Sequence, residues 1–108
     1  MRELTLPVER PVLRINGEPF ELRMNDLELY LRVDGFLRKL AAVPPESRTA
    51  AQVMEELAEA LALLEEMLGE NAAARISGGH PVRLPLALEW LAHIAREAAE
   101  HYAELVTR

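Results

Sequence analysis

Two stretches of helical apolar spacing meet at a segment that cannot be helix throughout, and that junction constrains the fold more than any other feature of the chain. The segment is "LGENAAARISGGHPVRL", residues 68–84. A helix that stops at Leu68 has Gly69 well placed to close it, since a left-handed residue there satisfies the last helical carbonyls. A few helical residues run on to Ile76. Gly78 and Gly79 then break the chain, and Pro81 keeps it broken. Such a segment either cradles a ligand or turns one helix back on another. It has neither the Gly-Lys-Ser/Thr of a phosphate loop nor the three-glycine spacing of a dinucleotide turn, and a helix rather than a hydrophobic strand precedes it. A joint between helices fits it best.

The flanks support that reading. Upstream, Thr49 with Gln52 three residues on is a capping-box signature. Val53, Leu57, Leu61, Leu64 and Leu68 follow as an apolar stripe, with Glu55, Glu59 and Glu66 on another face. Downstream, a helix is expected from about Pro85, a good first-turn proline, almost to the C-terminus. Leu84, Leu88, Leu91, Ala95, Ala98, Tyr102 and Leu105 alternate steps of four and three along it, the heptad rhythm of helices that pack on helices. Trp90 and Ile94 add a second, shorter apolar edge, and a helix with two such edges has more than one neighbour.

The N-terminal quarter follows a different rule. In "VLRINGEPFELRM" the pair Asn16-Gly17 sits between alternating apolar residues, the strongest short-range signal for a β-hairpin because both residues tolerate positive φ. Leu13, Ile15, Phe20, Leu22 and Met24 would form one apolar side, with Arg14, Glu21 and Arg23 toward water. Pro19 cannot donate to the ladder and leaves the register open. A lone hairpin is marginal in water, so it must pack on helices or pair with another chain. Residues 1–10, with Pro7 and Pro11 nearby, read as a frayed arm or an edge strand. Asn25 and Glu28 open a further helix as a capping box, carrying Leu27, Tyr30, Leu31, Leu37 and Leu40. Gly35 within it marks a kink or a place of close packing, and Pro44-Pro45 end the element. The expected fold is a single α+β domain over residues 1–108, mostly α: a hairpin at 11–24, then a helical part at 25–108 with three long helices and a short helix and Gly-rich turn before the last.

Composition narrows the function. The net charge is −6 and there is one lysine, Lys39, which disfavours nucleic-acid binding because phosphate contacts come from clustered Lys and Arg. Arg32, Arg38 and Lys39 are the nearest approach to a basic patch. Without cysteine there is no disulfide, thiolate metal site or cysteine nucleophile. The first residues carry no apolar core of a signal peptide, and no apolar run reaches the roughly 20 residues of a membrane span. A cytoplasmic location with no membrane partner is expected.

Chemistry-bearing residues are sparse. Glu89, His93, Glu97 and His101 recur at steps of four and would share a helical face on which imidazole and carboxylate can bind a metal. The Glu-x-x-His spacing of dicarboxylate bundles is missing, and a solvated face with weak Glu–His pairing accounts for the run better than a metal site does. Ser47 stands in a Pro-rich linker and Ser77 before two glycines, neither with a base and acid to activate it. No catalytic, metal or cofactor residues are assigned, and an enzyme is not expected.

With these residues in view, "LGENAAARISGGHPVRLPLALEWLAHI" resembles a segment of small siphophage proteins of the tail assembly chaperone type. In that group a helix ends in an aromatic-glycine-glutamate step, a short helix closes in an isoleucine-phenylalanine-diglycine step, and another helix follows. Gly69, Glu70, Ile76, Gly78 and Gly79 match. Leu68 and Ser77 stand in place of the aromatics, and Asn71 in place of glycine. The hairpin with "INGEPFEL" and the acidic helix are similar too, so the resemblance runs from about Leu13 to about Ile94. It implies a non-enzymatic chaperone that binds the tape-measure protein, recruits tail-tube subunits and self-associates as a homo-oligomer, encoded by a phage or prophage and working in the host cytoplasm. The residues on which partner contacts are expected are Phe20, Leu22, Trp90, Ile94 and Tyr102, with Asn16, Gly17, Gly69, Gly78 and Gly79 as structural turns. The hairpin would also offer a strand edge to a neighbour. Two other classes compete: a small acidic adaptor or antitoxin-like regulator acting through helix–helix contacts, and a metal-dependent hydrolase built on the Glu/His run.

Overall fold

Asn16 and Gly17 both adopt positive φ, 50° and 85°, the pairing that a type I′ turn requires and that matches the twist of the strands it joins. The turn fixes the register. In the computed structural model, which describes residues 2–5, 12–23 and 27–107 (side chains of Leu27 and residues 101–107 excepted), β1 (Val12–Ile15) pairs antiparallel with β2 (Glu18–Glu21), Ile15 opposite Glu18 and Leu13 opposite Phe20. A two-residue turn makes Ile15 and Glu18 a hydrogen-bonded pair, and alternation makes Arg14 and Pro19 a non-bonded one. Pro19 therefore loses no ladder bond: its missing N–H would have pointed away from β1. The expectations at Pro7, Pro11, Met24 and Asn25 lie outside the described residues.

The elements that follow are helical: α1 (Leu27–Ala41), a short 3₁₀ turn (Pro45–Ser47), α2 (Ala50–Leu68), α3 (Ala72–Ser77) and α4 (Leu84–Thr107). The α+β, mostly α class and the element order agree with expectation. Thr49 and Gln52 form the complete capping box, the Thr49 hydroxyl accepting from the Gln52 N–H at 3.2 Å and the Gln52 side chain accepting from the Thr49 N–H at 2.9 Å. No helix among the described residues is long and apolar enough to cross a membrane.

One core joins the hairpin to the helices. Phe20 and Leu22 from the hairpin side meet Leu29, Val33, Phe36 and Leu40 of α1, Ala60, Leu63, Leu64, Met67 and Leu68 of α2, Ala72 and Ile76 of α3, and Ala87, Leu91, Ile94 and Ala98 of α4. Burying a side chain of Leu or Phe size contributes about 1.5–3 kcal/mol, which is why the hairpin settles on the bundle instead of standing alone. The helix α4 packs against both α1 and α2. Ala87 and Ala98 are buried on it, and small side chains let the neighbouring helices come close.

The helix faces differ from the sequence stripes in detail. On α1 the core-facing line is Leu29, Val33, Phe36 and Leu40; Tyr30 and Leu37 flank it, and Leu31 is 56% exposed. Apolar residues cover so wide an arc of this helix that periodicity leaves its rotation open, and packing decides it. On α4 the buried line is Leu84, Ala87, Leu91, Ile94 and Ala98, with Leu88 and Ala95 only half-buried. Gly35 is exposed, and a Cβ there would meet nothing within 4 Å, so it is not a site of close packing.

Candidate functional site

The glycine-bearing segment is a joint, and the hairpin is fastened to it. The chain leaves α2 through Gly69 at φ 101° and ψ 175°, a conformation open essentially to glycine alone. This is not the left-handed closure expected at this residue. The left-handed positions are Asn71, which starts α3 at φ 59°, and Gly78, which ends it at φ 67°. The Gly69 N–H donates to the Glu65 carbonyl at 2.7 Å, and the Arg23 N–H donates to the Met67 carbonyl at 2.7 Å. Carbonyls in the last turn of a helix have no partner within it, so the strand leaving the hairpin supplies one.

Two side chains complete the attachment. Asn16 in the turn donates from Nδ2 to the Ile76 carbonyl at 3.0 Å, serving the end of α3 in the same way. Arg75 reaches back from α3. Its Nη2 donates to the Pro19 carbonyl at 3.2 Å, its Nε lies 3.5 Å from the Glu18 carboxylate, and its guanidinium sits 4.2 Å from the centre of the Phe20 ring. The outer edge of β2 is thus occupied: Pro19 has no N–H to offer, and its carbonyl already accepts from Arg75.

The opposite edge of the hairpin is different. A groove of about 440 Å³ runs beside β1, lined by Leu13, Arg14, Ile15, Asn16, Ile76, Trp90, His93, Ile94 and Glu97. Its size falls in the range of sites that enclose small ligands or peptide segments. Side chains of a strand alternate between its faces, so a groove that touches four successive residues of β1 follows the strand's edge. Its other wall is one face of α4, since Trp90, His93, Ile94 and Glu97 stand at steps of three, one and three. The two-stranded sheet has no third strand beside β1 among the described residues. The wall therefore offers backbone amides on one side and an apolar and a charged side-chain face on the other.

The residues expected to meet partners divide accordingly. Phe20 and Leu22 are 1% and 5% exposed and belong to the chain's own core, where the apolar face of the hairpin closes over the helices, and the expectation that they form a partner surface is corrected; Ile94, 5% exposed, packs in the same core and also lines the groove. Trp90 is half-buried and lines the groove. Tyr102 lies on α4 with its side chain outside the described residues. Arg14, His93 and Glu97 line the groove without having been singled out for it, and Arg75 was missed. Nothing in the sequence marks Arg75, because its partners are about sixty residues away in the chain.

The other candidates are accounted for locally. The His93 Nε2 and the Glu89 carboxylate are 3.9 Å apart and exposed, and among the described residues no three potential ligands gather at one metal position. The Ser47 hydroxyl donates to the Pro44 carbonyl at 2.8 Å and the Ser77 hydroxyl to the Ala74 carbonyl at 3.4 Å. In the small basic cluster, Arg32 pairs with Glu66 at 3.0 Å and Arg38 with Asp34 at 2.8 Å. Compared with known protein families, curated proteins and solved structures, the chain has no match.

Proposed function

We propose that this chain is a non-enzymatic protein-binding module that works as a phage tail assembly chaperone, holding a tape-measure protein and bringing tail-tube subunits to it. The observation that carries the binding role is the groove between the outer edge of β1, which has no further strand beside it among the described residues, and the Trp90 face of α4. A large aromatic at a partly exposed position beside a strand edge is the composition of a protein contact. The resemblance in residues 68–94 supplies the more specific part of the reading, and the helix, short helix and helix run of α2, α3 and α4 is in keeping with it.

The test is co-expression with the tape-measure protein encoded beside this chain. The client should move into the soluble fraction and co-purify with the chain. A client that stays insoluble with and without the chain, and does not co-purify, overturns the chaperone reading.

A second reading, a small acidic adaptor, has one observation in its favour. Residues 49–74 hold six carboxylates and no cation, so the remaining acidic residues balance all twelve Lys and Arg. The net charge is that of α2 and the start of the joint. An adaptor acting through this face would bind its partner less tightly as salt rises, with Trp90→Ala leaving binding unchanged. A chaperone using the groove would respond to Trp90→Ala instead.

A further inference from the structure

Asn16 serves the fold in two ways, and the chemistry of its side chain sets them against each other. Its Nδ2 donates to the Ile76 carbonyl at 3.0 Å, one of the bonds that hold the hairpin on the joint. It also precedes Gly17, which has no side chain to shield its backbone nitrogen. A Cβ at position 17 would meet nothing within 4 Å, and both turn residues are exposed to water. An asparagine in this setting can lose its amide. The Gly17 backbone nitrogen gives up its proton and bonds to the Asn16 Cγ. The Cγ–Nδ2 bond breaks, and ammonia leaves with that proton. Water then opens the five-membered imide, which leaves aspartate or isoaspartate at position 16.

The docked turn bars the first step. Ring closure needs Cγ beside the Gly17 nitrogen, so Cβ and that nitrogen must eclipse one another about the Cα–C bond. Asn16 has φ 50° and Gly17 φ 85°. The first residue of such a mirror-image turn has ψ of about 30°, which puts Cβ almost opposite the nitrogen. The turn must open before the ring can form. It is held on both sides, by Asn16 on Ile76 and by Arg75 on Pro19, Glu18 and Phe20, so it does not open while the hairpin is seated. We propose that Asn16 is a modification site gated by docking: deamidation is barred while the hairpin sits on the joint, proceeds when it lifts off, and then keeps it from settling back. An ionised carboxylate only accepts, so neither product offers a donor to the Ile76 carbonyl. Isoaspartate also adds a backbone carbon to a two-residue turn whose length sets the register. The change is one-way, and it records how often the hairpin has left the helices.

The experiment follows position 16 in the whole chain by mass spectrometry at one fixed pH, with isoaspartate scored separately, beside a free capped peptide of residues 12–21. Asn71, left-handed at φ 59° but followed by Ala72, is the internal reference and should stay intact. Amide exchange at Arg23, which donates to Met67 at the joint, reads undocking. Exchange at Leu91, 0% exposed on α4, reads unfolding of the whole chain. Position 16 should convert at least about tenfold more slowly in the chain than in the peptide, because only the open fraction reacts. That slowing should match the protection of the Arg23 amide and fall short of that of Leu91. Arg75→Ala, which changes neither turn residue, should speed conversion about tenfold, the scale of one lost hydrogen bond to a charged group. Arg75→Lys is the second variant should alanine not fold, and thermal melting checks both. Asn16→Asp, which carries the product side chain, should quicken Arg23 exchange about tenfold for the same reason. Asn16→Gly, which removes the donor without adding charge, should quicken it as well.

Four results would overturn the proposal. A chain that converts as fast as the peptide means that docking bars nothing. A chain and Arg75 variants that all stay intact while the peptide converts mean that position 16 is closed even on a loosened hairpin. Slowing that matches Leu91 instead of Arg23 assigns the gate to unfolding of the whole chain. Arg23 exchange at the native rate in Asn16→Asp means that a modified hairpin settles back.

Discussion

The chain turns twice between long helices, and the two turns are held in opposite ways. Between α1 and α2, Pro44 and Pro45 stop the first helix, Ser47 bonds back to Pro44, and Thr49 with Gln52 starts the second. Arg48 ties the turn down, donating to the Leu40 carbonyl at 2.7 Å and to Glu56 at 2.9 Å. Each of these partners lies within eight residues of the other. Between α2 and α4 the local material is poorer: Gly69, a left-handed Asn71, six residues of α3, and Gly78. Here the fastening comes from far away in sequence, through Asn16 on Ile76, Arg75 on Pro19 and Arg23 on Met67. The first turn is built by neighbours. The second is completed only when the hairpin docks, so the hairpin, the joint and the groove beside them form one structural unit.

The largest expected effect comes from breaking the second turn at Gly69. A Cβ there would stand 3.4 Å from the Arg23 guanidinium, a contact a flexible side chain can relieve, but φ of 101° cannot be relieved without moving the chain. Gly69→Ala should therefore cost about 1–3 kcal/mol, read as a lower denaturant midpoint at unchanged slope. Exchange of the Arg23 amide should also quicken, because its acceptor, the Met67 carbonyl, sits at the displaced helix end. An unchanged midpoint would mean that the joint is not strained. A lower midpoint with no change at Arg23 would mean that joint and hairpin are separate units.

The matching change in the first turn should be smaller and should stay local. Thr49→Ala removes one half of the capping box and should lower stability by about 1 kcal/mol. The hairpin amides should keep their rank order of exchange, since the bonds that hold this turn run among residues 38–56. A loosened hairpin in this variant would sink the contrast between the two turns.

The same contrast explains what could be read from the sequence. Features set by adjacent residues were legible: the Asn16-Gly17 turn, the Thr49–Gln52 box, the proline stop, and the glycines that punctuate α3. Their chemistry lies within a few positions of itself. Rotation of the long helices was not legible. On α1 the apolar residues from Leu29 to Leu40 span so broad a face that Leu31 looks as much like core as Val33 does, and only packing against α4 and the common core separates them. The partner surface was misread for a related reason. Phe20 and Leu22 are large and apolar, which describes a core as well as an interface, and nothing local tells which of them the fold will cover. The groove needed β1 and α4 to be brought together, so the roles of Arg14, His93 and Glu97 had no sequence signal. Arg75 is the extreme case, a single arginine in an alanine-rich run whose contacts all lie on a hairpin far upstream.

Gly35 gives the smallest and most discriminating prediction, because it is a glycine that neither turn uses. It lies inside α1 and is exposed, with open space where a Cβ would go. The glycines of the joint are kept by their positive φ, whereas nothing in the geometry of α1 demands one here. Gly35→Ala should then stabilise the chain by about 0.5–1 kcal/mol, since glycine inside a helix loses more backbone freedom on folding than alanine does. The check is the denaturant midpoint, with solution mass measured in parallel by light scattering. A raised midpoint at unchanged mass identifies Gly35 as a plain helix-interior glycine. A lowered midpoint, or a loss of self-association on adding one methyl group, would show that the exposed face of α1 is covered by another chain, and would shift the search for a partner surface from the groove to that face.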